Sequence, residues 1–194
     1  MPSYITNLNQ RLRHSLFANS IWAMSLKPQD LLVVLKLLAS GWPGNFAALA
    51  REVGLSASEA HAAMRRAQEA GLVEAMDRVP NKSAIAEFLI HGLRYVFPVS
   101  LGASSRGMPT SHAAPPLDKE FPAPAPGEMP IWPDPDGEHR GYEFKPLCRS
   151  VPLAARKDAK LYEWLALADA LRGGRARERN LAAKIVRKRL SYEA

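Results

Sequence analysis

Ser58, His61, Ala62 and Arg65 bring a hydroxyl, an imidazole, a methyl and a guanidinium to spacings of three, one and three residues, with Arg66 following directly. Residues three and four apart are neighbours on a helix surface. This run therefore offers one face with two hydrogen-bonding groups, a small apolar group and a cation. Such groups suit the edges of base pairs. Ser58 and His61 can hydrogen-bond bases, Ala62 can meet a thymine methyl, and Arg65 can reach guanine O6 and N7. Arg66, Arg78 and Lys82 have the chemistry of phosphate contacts, which add affinity without reading sequence. Ser56 stands where a helix would begin, and the free backbone N–H groups there favour a phosphate as well. Near the C-terminus Arg177, Lys184, Arg187 and Lys188 form a second basic group. It suits either phosphate contact or a solvated helix face.

The elements needed to present the first group are legible around it. Residues 46–65 read as a helix-turn-helix. Leu49, Val53 and Leu55 are apolar where two crossing helices pack, and Ala50 is small where the second helix comes close. Gly54 falls where the chain leaves the first helix, a position favouring positive φ. Ser56 and Glu59 have the spacing of a capping box. Ala60 and Ala63 then turn inward. Upstream, Pro28 suits a first helical turn, and Leu31, Val34, Leu35 and Leu38 predict a helix over 28–39 with one buried face. The second and third helices are expected at about 45–53 and 57–70, ending at Gly71, with Leu72-Val73 starting an extended segment.

The succession helix, helix, third helix, Gly-Leu-Val over about residues 26–76 resembles the winged helix-turn-helix transcriptional regulators, the MarR-like group and its relatives. The resemblance implies that the 57–70 helix enters a major groove and that a two-stranded wing follows. The chain departs from that pattern next. Asn81 looks like a cap, and Ile85, Phe88, Leu89 and Leu93 repeat at helical spacing, giving a helix over about 82–93. The wing is then either very short, near Asp77 to Pro80, or built from the 131–146 segment.

Four segments are expected: an amphipathic helix within 1–24 for packing or dimerisation, the helix-turn-helix domain at 25–97, a proline-rich connection at 98–130, and 131–194 with a hairpin and basic C-terminal helices. In the first, Ile5, Leu8, Leu12 and Leu16 carry the periodicity. Tyr95 to Val99 is compatible with a short strand. Ten of the 16 prolines lie between Pro98 and Pro135, which argues against a packed helix or central strand there. Ile131-Trp132 and Arg140 to Lys145 flank Asp136-Gly137 as a β-hairpin would. Leu161, Trp164, Leu165, Ala168 and Leu171 predict a helix over 158–171, Gly173-Gly174 a break, and Leu181, Ile185, Val186 and Leu190 a last helix over 175–190. The fold class is mainly α, a winged helix-turn-helix type domain with a small β-hairpin and a two-helix extension.

The net charge of +7 is unevenly spread, with balances of +2 over 1–93, −1 over 94–150 and +6 over 151–194. A 194-residue chain with 47% hydrophobic residues can bury a core. No apolar run is long enough for a membrane span, no secretory signal is evident, and the single Cys148 fits a reducing cytoplasm. No enzymatic constellation emerges and no cofactor is implied. The histidines His14, His61, His91, His112 and His139 are scattered, without a second histidine or a cysteine at i+3 or i+4. Ser111-His112 is an adjacent nucleophile–base pair that fits a loop. Asp134, Asp136 and Glu138 fit a turn better than a cation site. The expectation is a cytoplasmic, dimeric repressor on double-stranded DNA. The alternative is a protein-interaction module, an antitoxin or accessory subunit controlling a toxin-like or other partner protein.

Overall fold

The computed structural model describes residues 25–125 and 127–192. The helix expected within 1–24 lies outside them. The chain folds into a mainly α-helical structure with a small three-stranded sheet and C-terminal helices.

Helix α1 (Pro28–Ser40) starts with proline in its first turn, and the Asp30 carboxylate accepts the Lys27 backbone N–H at 2.7 Å. Helix α2 (Phe46–Val53) is capped by Asn45, whose side chain accepts the Ala48 N–H, and it ends at Gly54 with φ +68°. Helix α3 (Ala57–Glu69) opens on the expected Ser56/Glu59 capping box. The chain then makes a tight hairpin over 72–81. Val73 bridges Pro80 antiparallel, and the Glu74 N–H donates to the Val79 carbonyl at 2.8 Å. The Gln68 side-chain amide donates to the carbonyls of Glu74 and Ala75, tying the hairpin to the end of α3.

Asn81 caps α4 (Lys82–Glu87), as expected. The helix does not stop at 93. A π-helical turn, Phe88–Gly92, carries it into α5 (Leu93–Val96). Tyr95 and Val96, expected to open a strand, instead finish this helix.

The sheet departs most from the sequence reading. Strand β1 (Leu101–Pro109) runs within the proline-rich segment and is the central pairing element, antiparallel to both β2 (Pro130–Pro133) and β3 (His139–Phe144). The prolines did not exclude it because β1 has only one, at its last position. Strands β2 and β3 pair with each other in parallel, closing the three strands on themselves. They are therefore not the two arms of a hairpin across Asp136-Gly137. The link between them crosses over β1, with the Asp134 N–H donating to the Arg106 carbonyl at 3.1 Å. Such tight closure requires glycine. A Cβ on Gly107 would stand 1.9 Å from the Trp132 carbonyl oxygen, and one on Gly141 as close to that of Met129.

Helices α6 (Val151–Lys157), α7 (Ala159–Gly173) and α8 (Ala176–Leu190) complete the chain. The last two match the expected pair, whereas α6 was not foreseen. One buried cluster runs from Leu31 and Leu35 of α1 through Leu89 and Trp132 to Leu165 and Val186. Helix α1 is buried around nearly its whole circumference, because α7 covers the side facing away from α3. Helices α1 to α3 and the C-terminal half thus share a core.

Two acidic residues fasten this packing. Asp169 on α7 is buried and accepts from Thr110 Oγ1 (2.7 Å), Trp132 Nε1 (2.6 Å) and Arg172 Nε (2.8 Å). Asp158, at the start of α7, caps that helix and accepts from Lys36 Nζ at 2.6 Å and from Ser40. Burial pushes the Asp158 carboxyl upward, but these hydrogen bonds and the lysine charge outweigh it and hold it at about 2. The folded chain therefore binds this proton less readily than the unfolded chain. Asp158 should stabilise the fold fully above the ordinary carboxylate value of 3.8 and lose that contribution as pH falls through about 2. Allowing for solvent screening of a partly exposed group, the contribution is about 1–2 kcal/mol. Thermal melts across that window should fall more steeply for the wild type than for Asp158→Asn, and parallel curves would count against this role.

Candidate nucleic-acid interface

Helix α3 buries Ala60, Ala63, Met64 and Ala67 against α1 and α2. The opposite side carries Ser58, His61 and Arg65, all exposed, with Ala62 half-buried between them. The structure thus brings these four sequence-identified residues to one surface. The His61 ring stands edge-on to Phe46, with centroids 4.8 Å apart. Arg65 is 63% exposed and lies 3.6 Å from Glu69 one turn on, a surface pair that restrains the guanidinium only weakly.

Ser56 is occupied by its cap. Its hydroxyl donates to Glu59 Oε2 at 2.6 Å, and its backbone N–H donates to the same oxygen at 2.9 Å. These two hydrogen bonds hold the Glu59 carboxyl below the usual glutamate value. An ionised carboxylate thus already sits at the start of α3. That weakens the expectation of a phosphate there, since the two charges would repel.

Arg66 requires a correction. It does not project toward solvent as a phosphate contact but is buried, with Nε and Nη2 donating to the two carboxylate oxygens of Asp30 at 2.7 and 2.6 Å. A helix turns about 100° per residue, so the step from Arg65 to Arg66 carries the side chain from the outer face to the flank of α1.

Arg78 sits in the hairpin with φ +54°. Its guanidinium lies 4.7 Å from the Trp42 ring centroid and 5.7 Å from that of Phe46, within the range of cation–π attraction. Trp42 and Phe46 are themselves edge-on at 4.9 Å. A ladder of Arg78, Trp42, Phe46 and His61 therefore connects the hairpin to the outer face of α3. Sequence spacing alone missed Trp42, in the turn after α1, and Phe46, the first residue of α2, as members of this surface. Lys82 is exposed in the first turn of α4. Arg149, in the turn before α6, is a further exposed cation close enough for its charge to act on Glu59. It is far from α3 in sequence, so no local pattern could have found it.

The turn between α2 and α3 is backed by the C-terminal half. A Cβ on Gly54 would meet Leu153 and Ser150, each at 3.1 Å, and Lys157 Nζ donates to the Arg51 carbonyl at 2.7 Å.

The C-terminal basic residues do not form one stripe. Arg177 is exposed, with its guanidinium 5.6 Å from the Phe121 ring, and Lys184 and Lys188 are exposed. Arg187 is half-buried in a cleft facing α5. Helix α8 packs on α4 and α7.

Among the described residues, no group of three His, Cys, Asp or Glu side chains is arranged to hold a metal ion. Asp134 and Asp136 both pair with Arg156. Ser111 and His112 are not hydrogen-bonded to each other. The His112 imidazole lies 3.4 Å from the Glu178 carboxylate instead, while the Ser111 hydroxyl is buried without a partner. Burial pushes the Cys148 thiol up, away from the reactive thiolate. No helix among the described residues is long and apolar enough to cross a membrane. Comparison with known proteins gives no match: no protein-family model, curated protein or solved structure is significantly similar to this chain.

Proposed function

We propose that this chain is a sequence-specific, double-stranded-DNA-binding transcriptional regulator of the winged helix-turn-helix type, with α3 as its reading helix and the 72–81 hairpin as a very short wing. The observation that carries this reading is the division of α3. Its inner side packs on α1 and α2, while Ser58, His61 and Arg65 remain uncovered on the side that would meet base edges. The position of the hairpin, immediately after α3, supports the same reading. Arg78 serves as a phosphate contact held in place by Trp42, with Lys82 and Arg149 nearby in support. The modest charge of the surface favours a homodimer on two half-sites, each half too weak alone. In this reading the regulator represses by occupying a promoter.

The test is a band shift on the DNA upstream of the coding sequence, at two salt concentrations. Arg65→Ala is expected to weaken specific binding about tenfold or more, as loss of a bidentate guanine contact does. Its melting temperature should stay unchanged, because Arg65 is exposed. Arg78→Ala should weaken specific and unrelated DNA alike. Specific binding that ignores Arg65→Ala, or no DNA binding at all, would overturn the assignment.

One observation favours the partner-binding alternative, as in an antitoxin. The hairpin tip carries Met76 at 89% and Val79 at 53% exposure, apolar groups that suit a protein surface better than a phosphate backbone. In that case a toxin-like or other protein co-purifies, and Met76→Ser releases it without altering the fold.

A further inference from the structure

Arg179, Ala183 and Arg187 recur at every fourth position of α8 and so share one stripe, with Asn180 beside it. Opposite this stripe stand Ile90, in the π-helical turn, and Arg94, in α5. Leu171, near the end of α7, closes the base. Together these residues line an open cleft of about 280 Å³. Ala183 is small between two arginines, which makes the depression, and Leu171 and Ala183 form its buried apolar floor.

The electrostatics of the cleft are one-sided. Its lining holds three guanidiniums and one carboxamide and no acidic residue. Several arginines elsewhere are paired with carboxylates, Arg66 with Asp30, Arg156 with Asp134, Arg172 with Asp169 and Arg189 with Glu163. Arg94, Arg179 and Arg187 have no carboxylate partner among the described residues. Arg179 is held by its own donation to the Gly174 carbonyl at 2.6 Å, which fixes one guanidinium without cancelling its charge. The π-helical turn contributes as well. The Leu93 N–H reaches back to the Phe88 carbonyl, and the extra residue shifts the facing of α5 by about 100°. Arg94 and Ile90 both line the cleft. Such turns recur at functional sites because they re-aim side chains at a cost in helix regularity.

We propose that the cleft between Arg94, Arg179, Asn180 and Arg187 is a binding site for a phosphate group. Three guanidinium forks lining one cleft from two helices match a tetrahedral oxyanion, which accepts from several directions at once. A planar carboxylate would satisfy one fork and leave the others unpaired. The Asn180 amide supplies a neutral donor at the rim. The phosphate comes either from a nucleic-acid backbone or from a free small phosphate compound. The site stands independently of any role for α3.

Calorimetric titration of the full chain with inorganic phosphate, together with salt-dependent binding of a duplex of unrelated sequence, tests the site. The variants are Arg187→Gln and Asn180→Glu, at positions where substitution leaves the core intact, and melts without phosphate serve as the check on folding. Saturable phosphate binding that weakens about tenfold or more in both variants supports the site. If it takes a free phosphate compound, the salt dependence of duplex binding is the same in wild type and variants. If it takes a backbone phosphate, the slope of log K against log salt becomes shallower by about 0.9 in the variants. Phosphate binding that is equal in wild type and variants, or absent together with an unchanged slope, overturns the proposal.

Discussion

Asp30→Ala is expected to lower folding stability by about 3–5 kcal/mol, the usual result of removing one member of a buried ion pair. Asp30 is fully buried, and both of its oxygens are engaged by Arg66, one of them also by the Lys27 N–H. Alanine there leaves a guanidinium inside the core with no acceptor. Arg66→Ala should be comparably damaging by stranding the carboxylate. The double variant Asp30→Leu with Arg66→Met should recover much of the loss, because an apolar pair has no unmet charge. Urea midpoints of the four proteins measure this directly. The result also separates two roles for Arg66. A phosphate contact on the surface would melt like the wild type when replaced, and its loss would appear only as a weaker salt dependence of DNA binding. Near-wild-type stability of Asp30→Ala would refute the buried role.

Asp169→Ala should be of similar size, again about 3–5 kcal/mol. Its carboxylate takes hydrogen bonds from a strand, from the end of β1 and from its own helix, so removal strands the Arg172 charge, the Trp132 N–H and the Thr110 hydroxyl together. Arg172 also donates to the Lys145 carbonyl, which makes the guanidinium the joint between sheet and helices. Asp169→Asn keeps the shape and one acceptor, so an intermediate loss is expected. Thermal melts read the magnitude. Limited proteolysis should show faster cleavage between β1 and β2, where the covering strands have lost their hold. A variant that melts within about 0.5 kcal/mol of wild type would show that Asp169 does not bear this load.

Helices α1 to α3 were readable because their signals are local. Gly54, Ser56 and Glu59 act within a few residues of one another, and the apolar positions of α1 to α3 repeat at helical spacing. The same reading misplaced Arg66, since the partner that draws it inward lies 36 residues away and nothing near Arg66 announces Asp30. The sheet was misread for a related reason. Proline density averaged over 98–135 hides the nearly proline-free run that forms β1, and an Asp-Gly pair suggests a hairpin only if its flanking strands pair with each other. Here they pair in parallel, which no hairpin allows, and each is antiparallel to β1. Of the candidate surface, the α3 face was visible in the sequence. Trp42, Phe46 and Arg149 join it only through tertiary packing, and Arg94 meets Arg187 across one cleft only because α5 and α8 both pack on α7.

The covering of α1 by α7 has a consequence for how the protein comes into being. Lys36 and Asp158 are 122 residues apart. At ordinary ribosomal speeds of about 5–20 residues per second, roughly 6–24 s pass between their syntheses. Throughout that interval the far side of α1 is bare, and helices α1 to α3 wait as an incomplete, sticky intermediate. The arrival of α7, not completion of α3, closes the core around α1.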